Sequence, residues 1–189
     1  WRRCRFVVAS RGGTSTIEAD SDIVASPPRA VPLTVGFALP KGDRTEWIVQ
    51  KLTEIGIDQI LLLRTDRSVT IWDGDRVAGN VAKLASVARE AAMQSRRVRL
   101  PVITGPLAFA SVSDSRADFG GAMVMAEPGE QDVDVGAGCS TILIGPEGGW
   151  SPGELECADA LIGLADLILR VETAALVAAV RLMTVHHVP

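Results

Sequence analysis

Four glycines, two prolines and two glutamates lie within "LIGPEGGWSPGE", residues 143–154, directly after an apolar run. A stretch of this kind does chemistry with its backbone. Glycine leaves peptide groups uncovered by a Cβ, so a flat ligand can lie against the chain and bond to exposed amides. A tight strand-to-helix turn, the structural alternative, needs one such glycine or two. No GK[ST] follows, so this is not a phosphate P-loop, and it is not the GxGxxG dinucleotide fingerprint. The stretch points to a small-molecule site of another kind.

The elements that must position this loop are legible in the apolar pattern. "LTVGFAL" (33–39), "QILLLR" (59–64), "AMVMAE" (122–127) and "STILIG" (140–145) predict strands, the last two of the kind buried on both faces of a sheet. "DRTEWIVQKLTEIG" (43–56) predicts a helix with Asp43 and Glu46 as a capping box, Trp47, Ile48, Leu52 and Ile55 on one face, and Gly56 closing it. A longer helix over 75–95 carries Val77, Val81, Leu84, Val87, Ala88 and Ala91 as its stripe. "SPGELECADALIG" (151–163) predicts a helix with Ser151 as N-cap, Pro152 at its first position, Glu154 completing the box and Gly163 after its end. "DLILR" (166–170) predicts a final strand, and "ETAALVAAVRLMTVHH" a terminal helix apolar nearly all round, ending in His186 and His187. Alternating strands and helices imply an α/β fold, a mostly parallel sheet flanked by helices. Ligands of such sheets bind beyond the strands' carboxyl ends, where "GPEGG" falls.

The 189 residues are 47% hydrophobic and 22% charged, enough for one core. No apolar run reaches membrane-spanning length and no secretory pattern opens the chain, so a cytoplasmic protein without membrane contact is expected. Cys4, Cys139 and Cys157 are odd in number and far apart, which leaves no disulfide framework, no CxxC and no expected metal site; reduced, partly buried thiols are expected. Residues 1–100 hold sixteen Arg or Lys against eleven Asp or Glu, whereas 101–189 hold three against twelve. The basic half can meet phosphates through arginine's planar fork, or present a solvated face.

"IGPEGGWSPGELE" followed by "LILRVETAALVAAVRL" resembles the C-terminal signature of the 16S ribosomal RNA uridine-N3 methyltransferase family, within the SPOUT superfamily. The resemblance extends in order through "LPKGDRTEWIVQKLTEIGIDQILLL", "RTDRSV" and "AREAAMQSRRVRLPVI", roughly residues 33–185. It implies a methyltransferase domain over 33–189 with a C-terminal deep trefoil knot, S-adenosylmethionine bent within it, and a homodimer acting on 16S rRNA of the small ribosomal subunit. Residues 1–32 are then the last strands of an N-terminal PUA-like β-barrel that binds RNA.

The same resemblance assigns roles. Glu127, Ile144, Gly145, Pro146, Glu147, Gly148, Gly149, Leu164, Leu167, Ile168, Leu169 and Ala174 are expected to form the cofactor site, with the Gly145, Gly148 and Gly149 amides on the adenosine end. Arg170, with Glu172 and Thr173 beside it, is expected to stabilise the uracil anion left when the N3 proton departs; a salt bridge to Glu172 is its structural alternative. Lys41, Arg44, Arg67, Gln94 and Arg97 are the expected RNA contacts, each equally readable as an exposed surface group. The chain departs from the family where Leu-Gly-x-Arg usually precedes "ILR": here Leu164 is followed by Ala165, Asp166 and Leu167. Two alternatives stay open, a knotted methyltransferase for a tRNA base or ribose, and an inactive RNA-binding or assembly module.

Overall fold

The computed structural model describes residues 2–7, 15–119, 122–131, 136 and 138–186. His187 lies outside the described residues. The chain divides into two compact units, Trp1–Ala30 and Val31–Pro189.

In the first unit, β1 (Cys4–Val7) pairs antiparallel with β2 (Thr16–Ala19), placing Phe6 directly opposite Ile17. Both of these side chains are exposed, and so is Cys4. The expectation of partly buried thiols fails at Cys4, which stands exposed on this two-stranded ribbon.

The second unit runs β3 (Thr34–Ala38), α1 (Arg44–Ile55), β4 (Gln59–Arg64), α2 (Arg76–Ser95), β5 (Val102–Ala108), α3 (Phe109–Asp114), β6 (Met123–Ala126), β7 (Thr141–Ile144), α4 (Pro152–Leu155), β8 (Ala160–Ile162) and α5 (Val171–Val185). The sheet order is β5-β4-β3-β7-β6-β8, and every neighbouring pair is parallel. Strands β3 and β7, at the centre, are buried at every residue, as runs covered on both faces must be.

Alternation along the strands builds two cores. Val35, Phe37, Ile60, Leu62, Ile142 and Ile144 join the face covered by α1, α2 and α5, through Ile48, Leu52, Leu84, Ala175 and Leu182. Leu61, Leu63, Met123, Met125 and Leu143 point to the other face, against Phe109, Val112 and Trp150. Each fully buried aliphatic side chain contributes about 1.5–3 kcal/mol.

Several local expectations are corrected by the structure. Asp43 makes no side-chain cap: its backbone, at φ −89° and ψ 5°, lacks the extended geometry of an N-cap, and Glu46 accepts from Lys83 Nζ at 2.5 Å instead of reaching back; Gly56 does close α1, with φ of 109°. Trp47 turns away from the buried face and stands exposed. The expected helix over 151–163 stops at Leu155, although its capping box is present, and Ala160–Ile162 pairs with β6 as β8. Residues 166–170 form no strand; the chain there runs irregularly to α5. Strand β5, unread in the sequence, takes the sheet edge, where Pro106 removes no ladder bond that a neighbour needs.

Candidate functional site

The carboxyl ends of β6, β7 and β8 converge on one cavity of about 410 Å³. The loop after β6 brings Glu127 to it, the loop after β7 brings Gly145, Pro146, Glu147, Gly148 and Gly149, and the chain after β8 brings Leu164, Leu167, Ile168, Leu169 and Arg170. Ile144 and Ala174 complete the set of expected cofactor residues on its wall. Ala126, Pro128, Trp150 and Val171 line it as well, without having been singled out from the sequence, and so does Ala165, named there only as a departure from the family.

The glycine loop is a turn in which Gly149 N–H donates to Pro146 O at 2.9 Å, with Gly149 at φ 71°, a conformation that favours glycine. That amide is therefore used within the loop, while Gly149 itself lines the cavity. Gly145 answers a different constraint. A Cβ there would stand 2.9 Å from Trp150 Cε2, so the bare backbone on that side accommodates an indole. Trp150 is buried, tilts against Phe109 with ring centroids 5.5 Å apart, and donates from Nε1 to Ala126 O at 3.0 Å. It thus ties the β7 loop to the end of β6. The sequence carried a signal for this, a tryptophan one residue past the glycines, but not its partner.

Helix α4 starts with a complete capping box, Ser151 Oγ accepting from Glu154 N and Glu154 Oε2 from Ser151 N at 2.8 Å. Glu154 Oε1 also accepts from Asp66 N at 2.9 Å, which fastens the turn after β4 to the glycine loop. Arg67, in that turn, donates from Nη1 to Gly148 O at 3.0 Å.

Among the described residues, two carboxylates are left with unanswered acceptors. Glu127 Oε2 and Glu172 Oε2 are buried and have no hydrogen-bond partner. Burial pushes the Glu127 carboxyl above its ordinary value, the charge of Glu130 adds to this, and the charge of Arg67 opposes it. Glu172 Oε1 lies 3.5 Å from Arg44 Nε. The Arg170–Glu172 salt bridge entertained from the sequence is thus replaced by an Arg44–Glu172 pair, and among the described residues Arg170 forms no ion pair. Arg170 occupies the N-cap of α5 in extended geometry, exposed on the cavity wall.

Of the other basic candidates, Lys41 is exposed in the loop after β3, and Arg44 opens α1. Together with Arg67 they follow the same edge of the sheet as the cavity. Gln94 is exposed in the groove between α1 and α2, among Asp43, Glu46 and Glu90, surroundings that repel phosphate. Arg97 is drawn inward: its side chain is 12% exposed, Nη1 donates to Thr53 O at 3.0 Å, and Nη2 meets Asp58 Oδ1 at 3.2 Å. Its guanidinium thus serves bonds inside the fold, the alternative to an RNA contact. His186, expected only as a helix-end histidine, places Nε2 2.7 Å from Cys139 O.

The chain after β8 is held from two sides. Gly163 N–H donates to Gln131 O at 2.9 Å, and Glu127 N–H to Ile162 O at 3.0 Å. From α5, Arg181 donates to the carbonyls of Gly163 and Leu164, each at 3.1 Å. Leu167 and Ile168 nonetheless remain 79% and 83% exposed on the cavity rim.

Comparison with known proteins agrees with this arrangement. The family description "RNA methyltransferase domain" matches residues 27–183. The chain is 36% identical over 188 residues to the ribosomal RNA small subunit methyltransferase E of Mycobacterium bovis, covering 93% of this chain and 71% of that protein. A probable rRNA-methyltransferase from Porphyromonas gingivalis superposes with a TM-score of 0.77 at 26% identity, over 96% of this chain and 79% of its own. The fold is shared also with the Neisseria gonorrhoeae ribosomal RNA small subunit methyltransferase E, solved bound to S-adenosylmethionine, with a TM-score of 0.78 at 22% identity over 97% and 78% of the two chains. With a match over most of its length and a relative so similar across nearly all of it, the chain belongs to the RNA methyltransferase domain family.

Proposed function

We propose that this protein methylates N3 of a uridine in 16S ribosomal RNA of the small subunit, with S-adenosylmethionine as methyl donor. The observation that carries the reading is the meeting of three loops, those after β6, β7 and β8, on one cavity in a chain of this family. Residues and donor fit. The cavity's volume lies in the range of about 300–1,000 Å³ usual for small-molecule sites. Its walls are aliphatic at Ile144, Leu164, Leu167, Ile168 and Leu169, suited to an adenine, and Glu127 Oε2 is a buried acceptor lacking a donor.

The donor, when bound, supplies an electrophilic methyl group on a sulfonium. Glu127 and the Gly148 amide hold it, while Trp150 keeps the loop in shape. Arg170 faces the developing negative charge as the N3 proton leaves, reinforced by the positive end of α5. Glu172, in the first turn of the same helix, holds Arg44 in place and offers Oε2 as an acceptor. Orientation in such a pocket replaces a bimolecular encounter, an effect of about 7–11 kcal/mol. Lys41, Arg44 and Arg67 meet RNA phosphates along the same edge.

The trefoil knot belongs to this reading. It is supported by the crossing of 127–131 with 162–164: a Cβ on Gly163 would overlap the Glu130 carbonyl, so the segments pass backbone to backbone. A homodimer is supported by Leu167, Ile168 and Val180, apolar side chains left exposed near the site. The strands of residues 1–32 fit the end of a PUA-like barrel, and a cytoplasmic location follows from the substrate. Among the described residues no helix is long and apolar enough to cross a membrane, and no three His, Cys, Asp or Glu side chains gather to hold a metal.

The test is incubation with small ribosomal subunits and labelled S-adenosylmethionine, followed by mapping of the modified nucleotide. Label on uracil N3 is expected. Label on a ribose oxygen, or on tRNA alone, removes the reading, and absence of donor binding leaves only an RNA-binding module.

A further inference from the structure

The turn after β4 is fastened to the glycine loop and to α4 at three points: Asp66 N–H to Glu154 Oε1 at 2.9 Å, Ser151 Oγ–H to Asp66 Oδ2 at 2.6 Å, and Arg67 Nη1–H to Gly148 O at 3.0 Å. The turn is also closed on itself, since Thr65 N–H donates to Ser68 Oγ at 2.9 Å. It is therefore a rigid back wall, and Arg67 is its reach onto the loop. Gly148 and Gly149 both present their bare sides to Arg67; a Cβ on Gly148 would sit 3.4 Å from Arg67 Cβ, and one on Gly149 3.9 Å from Nη1. The side chain is nevertheless exposed, and the hydrogen bond to Gly148 engages one of the guanidinium's five N–H donors. The rest of the fork is presented to solvent, beside the donor loop and on the edge where Lys41 and Arg44 also lie.

We propose that Arg67 is a positioning residue through which a phosphate of the RNA substrate stiffens the Gly148–Gly149 loop, so that RNA and methyl donor bind cooperatively. The inference rests on the methyltransferase reading above and adds to it a coupling between its two ligands. A phosphate takes two parallel N–H bonds from an arginine, and Nε with Nη2 can supply them while Nη1 stays on Gly148 O. Fixing the guanidinium from outside removes the freedom that the loop otherwise loses when the donor binds, so the second ligand meets a loop already ordered. The coupling is reciprocal, each ligand tightening the other by the same factor.

Calorimetric titration of the full chain with S-adenosylhomocysteine, the unreactive product, tests this in the presence and absence of a short uridine-rich RNA strand. The RNA should tighten binding about fivefold or more. Arg67→Ala should weaken binding without RNA and abolish the enhancement. Arg67→Lys, which keeps one donor for Gly148 O but has no fork, should restore affinity without RNA and leave the enhancement lost. Equal affinity with and without RNA in the parent overturns the proposal, as does an enhancement that survives in Arg67→Ala or returns in full with lysine. No binding of S-adenosylhomocysteine to the parent would instead remove the methyltransferase reading itself.

Discussion

Trp150 lies flat over Gly145, its Cε2 2.9 Å from where a Cβ on that glycine would be and its Nε1 bonded to Ala126 O. The donor-loop entrance is thus shaped by a side chain five positions later. Gly145→Ala should force the indole outward, with a stability loss of about 1–3 kcal/mol from overpacking. Denaturant unfolding and a red-shifted tryptophan emission would show it; unchanged emission would mean the loop absorbs the methyl group.

Arg170→Ala should lower turnover by about 2–4 kcal/mol in activation free energy, as removal of a charge-stabilising donor does, and leave donor affinity nearly unaltered. Because Arg170 forms no ion pair among the described residues, its loss should barely move the unfolding midpoint. Equal losses in turnover and donor affinity would reduce it to a structural helix cap.

Arg97→Ala should behave in the opposite way. It removes the donors that meet the Thr53 carbonyl and Asp58 Oδ1 in a half-buried setting, so stability should drop by about 1–3 kcal/mol while RNA affinity of the folded protein holds. Gel-shift titration beside thermal unfolding separates the two effects, and weakened RNA binding at full stability would reinstate Arg97 as a contact.

Glu127 gives stability a pH dependence of definite sign. Below its ordinary value of 4.5 the carboxyl is protonated in both states and contributes nothing. Above it the unfolded chain releases the proton first, while burial and the charge of Glu130 keep the folded group protonated. Stability therefore falls with rising pH until the folded carboxyl ionises too. Denaturant titrations across that window should show the fall in the parent and a flatter profile in Glu127→Gln; parallel profiles would place the cause elsewhere.

The long helices and central strands were legible because period and burial agree there. Leu84, Ala88 and Ala91 fall on a stripe of α2, and the four apolar residues of "QILLLR", 60–63, are buried on both faces in β4. What the sequence hid depends on distant partners. "ADALIG" has the composition of a helix, yet Ala160–Ile162 becomes a strand because β6 offers it an open edge. "DLILR" reads as a strand, yet it takes no strand conformation, and Leu167 and Ile168 stay exposed on the cavity rim. The glycine loop was visible because its signal is contiguous. Its supports, Trp150 on Ala126 and the β4 turn on Gly148 and Glu154, join residues 24 to 88 positions apart and leave no local trace.

Arg181 carries a consequence for the timing of synthesis. Its guanidinium clasps the carbonyls of Gly163 and Leu164 from the fourth element of wall to be made, the closing helix. A chain emerging from the ribosome holds its glycine turn long before this clasp arrives, and until then the strip at 164–170 has no anchor on that side. The strip that closes the cavity after β8 is therefore pinned by the last helix to be synthesised, after the other two loops are already in the chain.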